Sequence, residues 1–266
     1  MGVSDTMVIR RIREHVAHHN WFAVAIDLVI VVVGVFLGTQ ANNWNQDRSD
    51  RARGHAYRER LAADLAANQN DYGARRRYEE VVRTHALAAL DAVERPPGPS
   101  DAQFLIDLYQ ASQINPRHTL RSTYDEIISV GGLESVGDAA LRRTLANFYI
   151  AVATTSVTFD NVPPYREHLR SAMPYAVQRN VVGRCPETIS FAADSAASLN
   201  LARSCSLDLP PAEIAAAAAK MRHEPKLDEE LTRLAVDLDS KINIYTIESK
   251  RVAKIRLAIL SADKKN

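Results

Sequence analysis

Few side chains in this sequence have the type and spacing that chemistry needs. His15, His18 and His19 share helical spacing and could converge on a metal ion. No cysteine stands near them, and beside Arg10, Arg11 and Arg13 they read as a basic segment meeting lipid headgroups. His55, His85, His118, His168 and His223 are scattered singly, in no metal-ligand spacing. Residues 131–137, GGLESVG, lack the preceding strand that a dinucleotide fingerprint requires, and their glycines read as a helix-to-helix turn. There is no nucleophile elbow and no phosphate loop. The acid pairs Glu79 with Glu80 and Glu229 with Glu230 fall on charge-rich helical faces. Cys185 and Cys205 are too far apart for a thioredoxin-type pair. They suit either a structural disulfide or two unrelated buried thiols. A disulfide needs an oxidising compartment, and closing this loop allows about 3 kcal/mol of stabilisation. The expectation is a protein that is not an enzyme, with no catalytic residue, no cofactor and no metal.

Asp27 is the one remaining chemical oddity, because it is the single ionisable side chain in residues 21–39. Nineteen helical residues at about 1.5 Å each span roughly 28 Å, the hydrocarbon thickness of a bilayer. Trp21 and Trp44 stand at the two ends, where indole rings prefer the headgroup region. A transmembrane helix over residues 21–40 is expected, with a core helix or a signal peptide cleaved after TQA as alternatives. Asp27, Val31, Gly34, Gly38 and Ala41 progress by steps of four and three, so they form one stripe. Gly34 and Gly38 have the spacing that lets two membrane helices approach closely, which makes a homodimer through the span a candidate. An acid at this depth costs at least ~2.5 kcal/mol at the bilayer centre and has reason to face a partner, although Asp27 could also reach interfacial water. The span ends in GTQANNWNQ. Gln40, Asn42, Asn43 and Asn45 supply uncharged hydrogen-bonding groups where charges are costly, and Trp44 anchors the boundary.

Orientation is contested within the sequence. Arg48, Arg51, Arg53, Arg58 and Arg60 outnumber the three arginines before the span and would hold the body inside. That rule is weakest for a long following domain, and the cysteine pair favours an exported body. The expected location is a bacterial inner membrane, single-pass, with the body in the periplasm. The chain of 266 residues carries a net charge of +1 with 24% charged residues, so nothing points to nucleic acid.

The elements that must position these residues read as helices. Residues 45–94 contain no proline and keep apolar side chains at Tyr57, Leu61, Leu65, Tyr72, Val82 and Leu90. RPPGPS at 95–100 stops that helix, and Ser100 or Asp101 can cap the next. Ser122 or Thr123 can cap a short helix ended by Gly131 and Gly132, and Gly137 with Asp138 introduces another. One further helix follows Pro163 and Pro164 and carries Leu169, Met173 and Val177. Pro210 and Pro211 start an alanine-rich helix. The last segment spaces Leu227, Leu231, Leu234, Leu238, Tyr245, Val252, Ile255 and Ile259 for packing along the first long helix, or for a coiled-coil seam that Lys241 and Glu248 or Ser249 would interrupt. The fold class expected is all-α: one N-terminal transmembrane helix running into a long helix, then a helical bundle. The divisions are a basic tail at 1–20, the span at 21–40, the bundle at 41–262 and a polar tail at 263–266.

The stretch IDLVIVVVGVFLGTQANNWNQDR resembles the start of an uncharacterised family of bacterial single-span membrane proteins that share a domain of unknown function. In that family an acid precedes an apolar span ending in a Gln-x-Asn-Asn-Trp element, matched here by Asp27, Gly34, Gln40, Asn42, Asn43 and Trp44. Residues 122–149 look like the family's second recurrent stretch. Many relatives have glutamate where Asp27 stands. The resemblance implies a membrane-anchored helical protein and supplies no activity. Two functions are therefore expected. One is an interaction or scaffold module that self-associates or docks an unidentified membrane or periplasmic protein. The other is an extracytoplasmic module that binds a small ligand and signals through its span.

Overall fold

The computed structural model describes residues 21–95, 98, 100–159, 161–190, 198–202 and 205–263. The fold is all-α, with eight helices, one 3-10 turn and one two-stranded ribbon among the described residues. The helices are α1 (Trp21–Glu94), α2 (Asp101–Ala111), α3 (Ser122–Ser129), α4 (Ala139–Phe159), α5 (Pro164–Ala172), α6 (Tyr175–Arg184), α7 (Pro211–Arg222) and α8 (Leu227–Asp263). The 3-10 turn is Gly132–Ser135, and the ribbon pairs β1 (Thr188–Ser190) with β2 (Ser198–Asn200) antiparallel, Ile189 opposite Leu199. The chain divides into two units between Arg53 and Gly54. In the first, every side chain from position 25 to 53 is exposed. In the second, burial begins at Gly54 and recurs along α1 at Leu61, Leu65, Asn68 and Tyr72.

Two apolar cores fill the second unit. One gathers Val82, Ala86 and Ala89 of α1 with Phe104 and Leu108 of α2, Leu169 of α5, Val181 of α6, Met221 of α7, and Leu231 and Leu238 of α8. The other gathers Leu61 and Leu65 of α1 with Ile127 of α3, Leu145 and Phe148 of α4, and Val252 and Ile259 of α8. Helices α1 and α8 contribute to both and run antiparallel: Tyr72 stacks on Tyr245, while eleven residues further on Arg83 pairs with Asp239. Alanines at 86, 89 and 92 let neighbouring helices approach α1 closely.

The turn chemistry explains most helix boundaries. Ser100 Oγ accepts the Gln103 amide (3.3 Å), Asp138 Oδ1 accepts the Leu141 amide (2.8 Å), and Pro164 and Pro211 open α5 and α7. Gly131 leaves α3 with φ of 67°. Two boundaries depart from the sequence reading. Neither Ser122 nor Thr123 caps α3 through its side chain; Arg121 holds the cap position and Asp64 Oδ2, from α1, accepts the Thr123 amide at 3.2 Å. The cap is supplied across the fold. The single helix expected after Pro164 is two, because Met173 is extended (ψ of 132°) and Pro174 has no amide to continue the ladder.

Gly54 sits where the 3-10 turn crosses α1. A Cβ there would lie 2.6 Å from the Ser135 carbonyl oxygen, which also accepts a hydrogen bond from Arg58 Nη1 at 2.9 Å. Alanine would gain about 1 kcal/mol of helix propensity at an open position. Here the backbone of the turn must move instead, so Gly54→Ala is expected to lower stability by about 1 kcal/mol or more, read as a reduced denaturation midpoint. His168 joins α5 to the α7–α8 region, with Nδ1 2.8 Å from Glu230 Oε2 and Nε2 3.1 Å from Glu224 Oε1. The two carboxylates raise its pKa above the ordinary 6.5, chiefly through the Glu230 hydrogen bond. Its contribution is therefore complete below pH 6.5 and is lost as pH rises through the raised folded value. The melting temperature should fall across that window in the native protein, and His168→Gln should flatten the dependence.

Candidate functional site

The residues singled out in the span lie in the first unit, among exposed side chains. Asp27, Gly34, Gly38, Gln40, Asn42, Asn43 and Trp44 all lie on the exposed part of α1, and a Cβ added at Gly34 or Gly38 would meet nothing within 4 Å. The amide cluster is helix throughout, not loop. Thr39 caps its own turn by donating to the Phe36 carbonyl at 2.8 Å. This is one helix long and apolar enough to cross a membrane, near the N-terminus and unburied over its apolar window. Arg10, Arg11, Arg13, His15, His18 and His19 lie outside the described residues, as does the Trp21 side chain. Among the described residues no group of three or more His, Cys, Asp or Glu is placed to hold a metal ion.

Cys185 and Cys205 are bonded, with Cα atoms 5.6 Å apart. The bond closes the segment bearing β1 and β2, and α1 and α2 hold that segment through polar contacts. Gln110 Nε2 donates to the Cys185 carbonyl (3.3 Å), and the Tyr78 hydroxyl donates to Glu187. His85, buried, faces Asp107 Oδ1 with Nδ1 (2.7 Å) and the Ala202 carbonyl with Nε2 (3.2 Å). Gln103 Nε2 donates to the same Asp107 oxygen at 2.8 Å. None of these side chains has a buried polar atom without a partner, which marks the set as an internal tie.

A different situation holds where the two cores meet. Between Tyr78 and Leu238 on one side and Tyr72 and Tyr245 on the other, the α1–α8 seam turns polar. Arg75 lies there, its Cζ 5.6 Å from the Tyr72 ring centroid and 5.9 Å from that of Tyr245, the two rings 6.2 Å apart. Asp71, one turn back and partly buried, takes Arg75 Nε on Oδ2 at 2.6 Å, and Arg117 Nε lies 3.1 Å from Oδ1. One carboxylate thus serves two guanidinium groups. Arg117 comes from the irregular segment between α2 and α3, which Asn68 pins by a pair of hydrogen bonds to the Leu120 backbone (2.7 and 2.8 Å). Thr119 Oγ1 meets the Tyr72 hydroxyl at 2.9 Å. Burial pushes the Tyr72 hydroxyl up to about 12, so it remains protonated at neutral pH. Glu79, also buried in this seam, is shifted upward by desolvation against the pull of Lys241 and Arg75.

Tyr72, Arg75, Arg117, Thr119, Tyr245 and Glu248 border a cavity of about 320 Å³, with Val152 of α4 also on its wall. Three charged side chains on its wall carry a buried atom without a hydrogen-bond partner, Arg75 Nη2, Arg117 Nη1 and Glu248 Oε2, and of these only Arg75 Nη2 lies in a close ion pair, 2.5 Å from Asp71 Oδ2. Arg117 Nη1 and Glu248 Oε2 are buried with no hydrogen-bond partner, while the other Glu248 oxygen receives only a long contact from Arg251 Nη1 (3.5 Å). A wider groove of about 910 Å³ runs between α4 and α8 past Leu141, Ile255 and Ala258, but no unpartnered buried polar atom lies on it. The smaller cavity is the candidate site. Its donors and acceptors come from positions 71–75, 117–119 and 245–248, too far apart in sequence to form a motif. The one sequence signal was the polar interruption of the α8 seam at Lys241 and Glu248.

No family model, curated protein or solved structure matches this chain, so its function has to be read from its own residues.

Proposed function

We propose that the chain is a single-span membrane protein whose helical body is exported, in a bacterium into the periplasm, and there receives a small ligand. The exposed apolar segment of α1 supports the anchor. Ten large apolar side chains in positions 26–37 are each at least 43% exposed, and withdrawing them from water is worth on the order of 10 kcal/mol. In hydrocarbon the backbone of this valine-rich run has no water to bond, which favours the helix. The Cys185–Cys205 bond supports export, since such bonds persist where thiols are not kept reduced. The observation that carries the ligand reading is the 320 Å³ cavity with convergent, incompletely paired charges on aromatic walls. It favours a ligand-binding body over the scaffold role that the sequence also allowed. A reporter that works only outside the cytoplasm, fused after Asn266, should be active, and Cys185 and Cys205 should resist alkylation until reduced. Activity from a cytoplasmic reporter alone, with both thiols freely alkylated, would refute export.

A second reading concerns the span. The open surface at Gly34 and Gly38, on one stripe with Asp27, supports pairing with a second copy in the bilayer. Oxidative crosslinking of a Gly38→Cys variant in native membranes should give a covalent dimer at low expression. Monomer at every expression level would count against it.

A further inference from the structure

We infer that the cavity between the two cores takes a small zwitterion carrying both a carboxylate and an ammonium group, of the amino acid class. The inference rests on the ligand-binding reading above and names what that ligand must be. With Arg75 Nη2 answered by Asp71 Oδ2 at 2.5 Å, the lining is left with two unmet demands of opposite sign. Arg117 Nη1 is a buried cationic donor without an acceptor, and Glu248 Oε2 is a buried anionic acceptor without a donor. Neither demand can be met by the neighbours already present. Asp71 is shared between Arg75 and the far side of the Arg117 guanidinium, and Arg251 reaches only the other oxygen of Glu248, at 3.5 Å. Arg121, also on the lining, is held bidentate by Asp125 (2.8 and 3.0 Å).

The two demands select the ligand by exclusion. A plain carboxylate would satisfy Arg117 and leave Glu248 as a buried charge beside a second anion. A plain amine would satisfy Glu248 and leave Arg117 unpaired next to a second cation. Water can bond either group but carries no charge to offset the loss of solvation. A carboxylate and an ammonium in one small molecule answer both, and a net-neutral ligand leaves the charge balance of the lining unchanged. The Tyr72 and Tyr245 rings and Val152 offer apolar surface for a modest side chain. The Tyr72 hydroxyl and Thr119 lie beside it as further hydrogen-bonding groups. The volume of 320 Å³ is at the small end of ligand cavities and suits a molecule of single-amino-acid size.

The test uses the full-length protein in detergent micelles. Calorimetry and thermal unfolding are followed with the common amino acids, and with acetate and methylamine as the two halves of the ligand. One or more amino acids should bind saturably and raise the melting temperature, while acetate and methylamine do not. Arg117→Gln and Glu248→Gln should each weaken that binding by about tenfold or more, the loss expected for one charge-assisted contact, with helical content and the disulfide retained. Ala153→Leu, which narrows the cavity without touching a charge, should abolish binding and keep the protein folded. Acetate or methylamine binding as well as any amino acid, with Glu248→Gln or Arg117→Gln respectively without effect, would overturn the zwitterion and leave a ligand site standing. No response to any of these probes, with Ala153→Leu indistinguishable from the native protein, would overturn both.

Discussion

The antiparallel seam between α1 and α8 is the constraint on which the rest of the body depends. Each helix offers apolar side chains to two cores, so every other element packs against a surface that the pair defines. Apolar continuity along such a seam would give the tightest packing. It is interrupted at one level, where Arg75, Glu79, Lys241 and Glu248 replace leucines and valines. Burying charges there costs stability unless each is compensated, and the compensation is incomplete at Arg117 and Glu248. The interruption is thus a place where the body departs from what stability alone would select.

Much of the fold was legible because prolines, glycines and apolar spacing act locally. Pro163 and Pro164, Pro210 and Pro211, Gly131 and the run of apolar residues along α8 mark their elements without help from the rest of the chain. What escaped was tertiary. The Asp64 carboxylate that caps α3 lies 59 positions from the amide it accepts, so the nearer serine and threonine looked like the natural caps. Pro174 was hidden by a helical apolar pattern that continues across it from Leu169 to Val177. The cavity shows the same limit: Asp71, Arg117 and Glu248 become neighbours only after three separate segments have packed. Within α8, however, Lys241 and Glu248 already stood out as polar residues where apolar ones were due.

The segment closed by Cys185 and Cys205 illustrates how a short, poorly patterned stretch is kept in place without a core of its own. Its ribbon has only three pairs of residues. Fixing it falls to the disulfide, to Tyr78 on Glu187, and to the His85 relay from Asp107 to the Ala202 carbonyl. The covalent bond removes freedom from the unfolded chain, whereas the buried polar contacts act in the folded state.

The pairing of α1 with α8 also governs when the body can form. Its partners stand at the two ends of the domain, residues 57–94 and 227–259, with all the shorter helices between them. Contacts so distant in sequence must await synthesis of the C-terminal helix, and closing that span is what slows the folding of such topologies. A chain that crosses a membrane as it is made would therefore pass through without its body closed. The late arrival of α8 would keep such a chain open until that helix is made.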